Sequence, residues 1–225
     1  MAGLALELGE VAGIVLRSLM VSGAATLLSA SWSIPLALRL VLGGEGRGKR
    51  LVMDLLNSLV GIPTVVVGLI LYFLLSRSGP LGQLQLLYTP LAITIGQAIL
   101  ITPFIASLSA EALRSVRERL WETLISLGAT EGQAAATVVD EASPGLVTSI
   151  LLGFSRAVGE LGVALMLGGN IRGFTRVMTT AIALEVGRGE FELALALGAI
   201  LVSLSFLTTL TIRALTREIG WRTLG

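Results

Sequence analysis

Ser18 to Leu38 reads SLMVSGAATLLSASWSIPLAL, 21 residues without a charge between Arg17 and Arg39. At about 1.5 Å of rise per residue such a helix reaches roughly 31 Å, the thickness of the hydrocarbon core of a bilayer. Similar runs follow it along the chain. Leu55 to Ser76 lies uncharged between Asp54 and Arg77. Ser78 to Ala110 is too long for one span and opens with the turn-rich SGPLGQLQLLY, which leaves about Tyr88 to Ala110 as its crossing part. Gly145 to Leu167 is apolar apart from Arg156 and Glu160, and Leu193 to Ile212 lies between Glu192 and Arg213. Lipid offers no hydrogen bonds to a backbone, so apolar runs of this length cross as helices. The expectation is an all-α membrane protein of about five transmembrane helices.

Composition agrees with that reading. Of 225 residues, 54% are hydrophobic and 14% charged, and the mean hydropathy is +0.88. A soluble domain carries about a quarter charged residues, because water must wet its surface. There is no cysteine and no histidine, which removes disulfides, thiol chemistry and histidine catalysis or metal ligation. A net charge of +1 argues against a nucleic-acid partner, which would demand a concentrated basic face. No basic n-region precedes a short apolar core near the start, so no cleavable signal peptide is expected. Without repeats or low-complexity tracts, residues 1–225 read as a single membrane domain.

Basic residues set the expected orientation. Arg39, Arg47, Lys49 and Arg50, then Arg114, Arg117 and Arg119, then Arg213, Arg217 and Arg222 fall on one side of a five-span chain, ten in all. Four fall on the other: Arg77, Arg172, Arg176 and Arg188. The ten are assigned to the cytoplasm, which puts the N-terminus outside and the C-terminus inside.

The long cytoplasmic segment is Glu111 to Pro144, EALRSVRERLWETLISLGATEGQAAATVVDEASP. Leu113, Val116, Leu120, Leu124 and Leu127 form a helical stripe, with Arg114, Arg117, Glu118 and Glu122 opposite. Gly128 stops that helix, and Ala129 to Val139 could form a second short one before Pro144 opens the fourth span. Periodicity alone leaves two readings open: a bracket projecting from the bilayer, or a helix pair lying on its surface. Gly43 to Lys49, GGEGRGK, satisfies part of a phosphate-binding loop. Arg50 stands where a magnesium-holding Ser or Thr would follow, and no strand precedes it. A flexible basic loop is the better reading, and ATP hydrolysis is assigned to another subunit.

The order Glu122, Gly128 six positions later, Ala129 and an aliphatic at Val138 resembles the EAA signature of permease subunits in type I ATP-binding-cassette importers. Thr123 and Leu124 replace the usual alanines, and Asp140–Glu141 the usual Leu-Pro, which points to a subfamily. LLGFSRAVGELGVALMLGGNIRG (Leu151 to Gly173) looks like the segment shared by sulfate, molybdate and tungstate permeases. TRVMTTAIALEVGRGEFELALALGAIL (Thr175 to Leu201), with Glu141–Ala142, resembles the tungstate branch. The resemblance implies a cell-membrane homodimer with ATPase subunits below and an extracytoplasmic oxyanion-binding protein above. It implies no cofactor in this chain, ATP and magnesium being held by the ATPase. Tungstate is the expected cargo, with molybdate or sulfate as alternatives; an intramembrane enzyme or an assembly factor is the alternative from another class. The implied coupling residues are Glu122, Gly128, Ala129, Thr130 and Val138. Candidate pathway or intramembrane polar residues are Ser155, Arg156, Glu160, Asn170, Thr179 and Thr180, with no catalytic or metal-binding set. Arg156 and Glu160, four apart, share a face of the fourth helix. Arg156 could grip a passing dianion, or the two could neutralise each other at a helix interface; the second reading is favoured.

Overall fold

The computed structural model describes residues 2–43 and 46–222, without the side chains of 2–8 and 215–222. Gly44 and Glu45 of the Gly43–Lys49 motif and the side chains of Arg217 and Arg222 therefore lie outside the described residues. Every regular element among those described is a helix: α1 Ala2–Leu42, α2 Arg47–Leu59, α3 Thr64–Leu75, a 3-10 turn Gly82–Leu84, α4 Pro90–Ser126, α5 Glu131–Val158, α6 Gly162–Gly168, α7 Met178–Arg188 and α8 Phe191–Arg222.

Four helices are long and apolar enough to cross a membrane: Gly9–Leu42, Pro90–Ser126, Glu131–Val158 and Phe191–Ala214. The fifth candidate is α2 with α3, bent by 103° at their break. The run expected as one span from Leu55 to Ser76 is therefore two pieces. Pro63 has no N–H to give and disfavours helical backbone at Ile62. The chain accordingly leaves the helix after Leu59 and re-enters at Thr64. Twelve residues of α3 span about 18 Å, short of a full hydrocarbon core. The fourth span is also broken. The run Gly145 to Leu167 covers the end of α5, an irregular link at Gly159–Leu161, and most of α6.

The segment Glu111 to Pro144 differs from expectation in the other direction. It holds no separate pair of short helices: its first part is the unbroken end of α4 and its second the unbroken start of α5, which passes straight through Pro144. The reason is packing. Ala110, Leu113 and Val116 from α4 and Val138, Ala142 and Leu146 from α5 share one buried cluster with Ala37, Val41 and Met53, so the apolar stripe runs in phase with the spans. Charges on the far face do not interrupt it.

The chain forms two compact units. The first comprises Met1–Leu28, Ile62–Leu100 and Phe154–Leu207. Its core includes Ile14, Val158, Met178, Ala181 and Leu197, and a second cluster of Leu75, Ala92, Val163 and Leu167. The second unit comprises Ser29–Gly61, Ile101–Gly153 and Thr208–Gly225, and holds the cluster around Leu113. Polar bonds reinforce it where apolar packing alone gives no directional hold in lipid. Ser29 and Trp32 both bond the Thr102 hydroxyl, at 3.1 and 2.7 Å, and the Ser109 and Ser149 hydroxyls pair at 2.7 Å.

Candidate functional site

Two constellations carry the candidate residues, one in each unit. In the second unit α4 and α5 make a helical hairpin whose tip is closed by two local motifs. Gly128 has φ +88°, a left-handed conformation open to glycine at little cost. Its N–H donates to Ile125 C=O and that of Ala129 to Leu124 C=O, each at 3.0 Å. This is the paired-bond ending that satisfies the last carbonyls of a helix. Thr130 then caps α5: the Gln133 N–H donates to Thr130 Oγ1 at 3.3 Å, and the Thr130 N–H donates to Gln133 Oε1 at 2.9 Å, a reciprocal box closing the helix start. Glu131, in the first turn, adds a negative charge where the helix dipole favours one.

Glu122, Gly128 and Thr130 are exposed at this tip and Ala129 is half-buried. Val138 is fully buried among Leu113, Val116 and Ala142, so it holds the two arms of the hairpin together. The sequence reading placed Leu127 at the end of the apolar stripe and passed over Ile125; both are exposed apolar side chains beside the turn, Leu127 at 80%. Their signal was present, since Leu127 sits next to a helix stop, where an apolar side chain has no further turn of its own helix to pack on.

In the first unit the polar residues gather at the α5–α6 break. The Ala157 carbonyl, freed from helical bonding, accepts from Gln97 Nε2 at 3.1 Å and from the Glu160 N–H at 3.1 Å. Gln97 is held in turn by the Ser22 hydroxyl at 3.2 Å. Glu160 is 2% exposed. Arg156 Nη1 donates to its Oε2 at 2.8 Å and the Val163 N–H to its Oε1 at 3.3 Å, while the Thr179 hydroxyl donates to its backbone carbonyl at 2.8 Å. Glu160 therefore lies beyond the end of α5, not on a common helical face with Arg156, yet the ion pair forms. It also caps α6. The Arg156 side chain is 40% exposed, which leaves guanidinium N–H groups open to water or to an anion. Gly162 lets α3 approach: a Cβ there would sit 2.7 Å from Thr64 Oγ1 and 3.0 Å from the Val65 nitrogen.

Asn170 and Thr180 are brought together nearby, Asn170 Nδ2 donating to the Thr180 carbonyl at 3.1 Å, and the Thr180 hydroxyl accepts from the Val177 N–H at 3.1 Å. Ser155 joins neither group through its side chain, although its carbonyl accepts from Gly159. An ion network that the sequence reading did not assemble surrounds the loop from Asn170 to Val177. Arg172 grips both carboxylate oxygens of Glu10, and that bond raises the Arg172 pKa above its ordinary value. Arg176 reaches Glu10 and Glu185 at 3.6 and 3.8 Å, and Arg188 reaches Glu185 at 3.5 Å. Arg17 donates to the carbonyls of Arg176 and Gly173. Among the described residues no three His, Cys, Asp or Glu side chains stand close enough to hold a metal ion.

A family model described as "Binding-protein-dependent transport system inner membrane component" matches residues 18–221. A "Probable anion ABC transporter permease protein" of Haloferax volcanii is 41% identical over 204 residues, 88% of each chain. A tungstate uptake system permease protein of Peptoclostridium acidaminophilum is 38% identical over 209 residues, 93% of this chain and 91% of that one. Among solved structures, an inward-facing form of a methionine ABC transporter superposes with a TM-score of 0.70, covering 92% of this chain and 94% of that one at 18% identity; at that identity the likeness is one of fold.

Proposed function

We propose, from the premise that the chain belongs to the family of binding-protein-dependent transport system inner membrane components, that this ABC importer permease subunit carries tungstate. The observation that carries the cargo is the 38% identity to a tungstate uptake permease across nearly the whole chain. Molybdate is the nearest alternative, both being tetrahedral dianions. In this reading two copies pair around a pathway, ATPase subunits dock on the hairpin tips, and an extracytoplasmic binding protein delivers the anion from the other side. ATP binding closes the ATPases and draws the two tips together, which opens the pathway outward. The exposed Ile125 and Leu127 beside a rigid turn support a docking role, because a lever must be stiff to transmit displacement. The orientation follows with ten basic residues in the cytoplasm. Arg172, Arg176 and Arg188 stand on the other side, and pairing with Glu10 and Glu185 softens that exception to the charge rule.

The test is ATP hydrolysis by the assembled complex in lipid. Tungstate-loaded binding protein should stimulate it severalfold above the unloaded protein. Stimulation by sulfate alone would reject tungstate as cargo, and stimulation by no oxyanion would reject the anion reading.

A further inference from the structure

The 13-residue helix α2 presents three faces. At about 3.6 residues per turn, Leu51, Val52 and Leu55 fall within an arc of about 100°, with Leu59 among them. The first three are exposed, Leu51 at 70% and Leu55 at 56%, and Leu59 is half-buried. A second arc, Met53 and Leu56, is buried. The third carries Arg47, Arg50, Asp54, Asn57 and Ser58, all of them exposed. Single exposed leucines are ordinary on a protein surface; a contiguous apolar arc beside a polar one asks for something to cover it.

Packing fixes the depth of this helix. Met53 is buried in one cluster with Ala37 and Val41 of α1 and with Ala110, Leu113 and Val116 of α4. Ala37 and Ala110 belong to the last turn of the uncharged stretches, which end at Arg39 and Glu111. The buried arc of α2 therefore meets the two long helices where they leave the hydrocarbon. Only residues 43–46 separate α2 from α1, and only 60–63 separate it from α3. Four residues reach about 14 Å when fully extended, so α2 is tied at both ends to helices of the bilayer. Sunk in the hydrocarbon, α2 would carry Arg47, Arg50 and Asp54 in with it, which lipid penalises heavily. Raised into water, it would leave Leu51, Val52 and Leu55 hydrated. A helix lying along the boundary meets both demands.

We propose that α2 lies in the plane of the membrane interface on the side of the α4–α5 turn, with Leu51, Val52 and Leu55 in lipid at the level of the upper acyl chains and Arg50, Asp54 and Asn57 in water. The covering partner is the bilayer surface, and because the face is apolar a zwitterionic lipid suffices. Through Met53, which shares its cluster with Val138, this in-plane anchor holds the root of the hairpin at a fixed depth. The inference rests neither on the cargo nor on where the ATPase docks.

The test places one spin label at a time on the full chain in phosphatidylcholine nanodiscs, through Leu51→Cys, Val52→Cys, Leu55→Cys, Asp54→Cys or Asn57→Cys. The chain has no cysteine of its own, so each label is unique. Collision with oxygen, which concentrates in lipid, is compared with collision with a water-soluble nickel chelate. Labels at 51, 52 and 55 should favour oxygen severalfold, at a depth of about 5–10 Å, and those at 54 and 57 should favour nickel severalfold. The pattern should persist when the partner ATPase is bound. A preference for nickel at all five positions overturns the proposal by placing α2 in water, and a preference for oxygen at all five by placing it within the span. Shielding of 51, 52 and 55 from both reagents also overturns it: in the chain alone it gives the face to a second copy, and on adding the ATPase it gives the face to that subunit. Should some variants fail to fold, Leu51→Cys with Asn57→Cys decides among these outcomes, since both side chains are exposed.

Discussion

Both carboxylate oxygens of Glu160 are engaged, one by the Arg156 guanidinium and the other by the first turn of α6. One side chain thus neutralises a charge and closes a helix start in a place water does not reach. Arg156→Ala removes only the first of these, leaving a buried charge that a helix-terminal N–H cannot balance alone. We expect a loss of about 2 kcal/mol, below the roughly 3–5 kcal/mol of breaking a fully buried pair, because Arg156 is itself partly exposed. Arg156→Ala with Glu160→Gln should recover most of it, since glutamine still accepts from the Val163 N–H. Thermal melting of the purified complexes checks this; a wild-type melt with transport abolished in Arg156→Ala would instead make the arginine a cargo ligand. The pairing was legible from the spacing of two charges in an apolar run. The break was not, because Gly159 and Gly162 resemble the packing glycines common in membrane helices, and nothing local distinguishes a glycine that ends a helix from one that lets a neighbour approach.

The α4–α5 hairpin makes its turn in four residues, 127–130, closed on both sides by main-chain and threonine–glutamine bonds. Its geometry hinges on one backbone conformation. At φ +88° a Cβ on residue 128 would meet no neighbouring atom within 4 Å, so a substitution there acts through the backbone and not through crowding. Gly128→Val should cost about 1–2 kcal/mol at the turn and displace the segment from Ala129 to Thr137, with loss of ATPase binding or stimulation while the helices in the membrane stay folded. Gly128→Asn, which tolerates the left-handed region, should retain most of the stimulation. Co-purification of the ATPase and its turnover measure both, and full transport by the valine variant would rule out this turn as the coupling element. Gly128 as a helix stop could be read from the sequence. That α4 and α5 run unbroken into it could not, because the charges between Glu111 and Glu122 look like a segment that has left the membrane. In fact they occupy one face of a helix whose other face, Leu113 and Val116, is still core.

For the molecule as a whole, charge-free intervals located the crossing segments, since removing a charge from water costs more than any local preference can offset. They failed at the second interval, where Gly61-Ile62-Pro63 breaks a run that is uncharged throughout: hydropathy records affinity for lipid, not backbone continuity. They also passed over α7, whose Met178, Thr179, Thr180 and Glu185 are buried, because an eleven-residue helix between spans leaves no hydropathy signal. Orientation can be measured directly on a chain without cysteine. Cysteines placed at the exposed positions Ser126 and Gln83 should be labelled by an impermeant thiol reagent from the cytoplasm only and from outside only, respectively. The reverse pattern would invert the topology. Gln97, finally, sets a condition on how the protein is made. Its amide binds Ser22, 75 residues earlier, and the Ala157 carbonyl, 60 residues later. At about 5–20 residues per second, the ribosome delivers that carbonyl roughly 3–12 s after the amide. A lone amide in lipid is poorly tolerated, so α4 has to wait beside the insertion machinery until the Ala157 carbonyl of α5 emerges. Gln97→Leu should release α4 early, and cross-linking of stalled nascent chains to the insertion machinery would reveal the shortened stay.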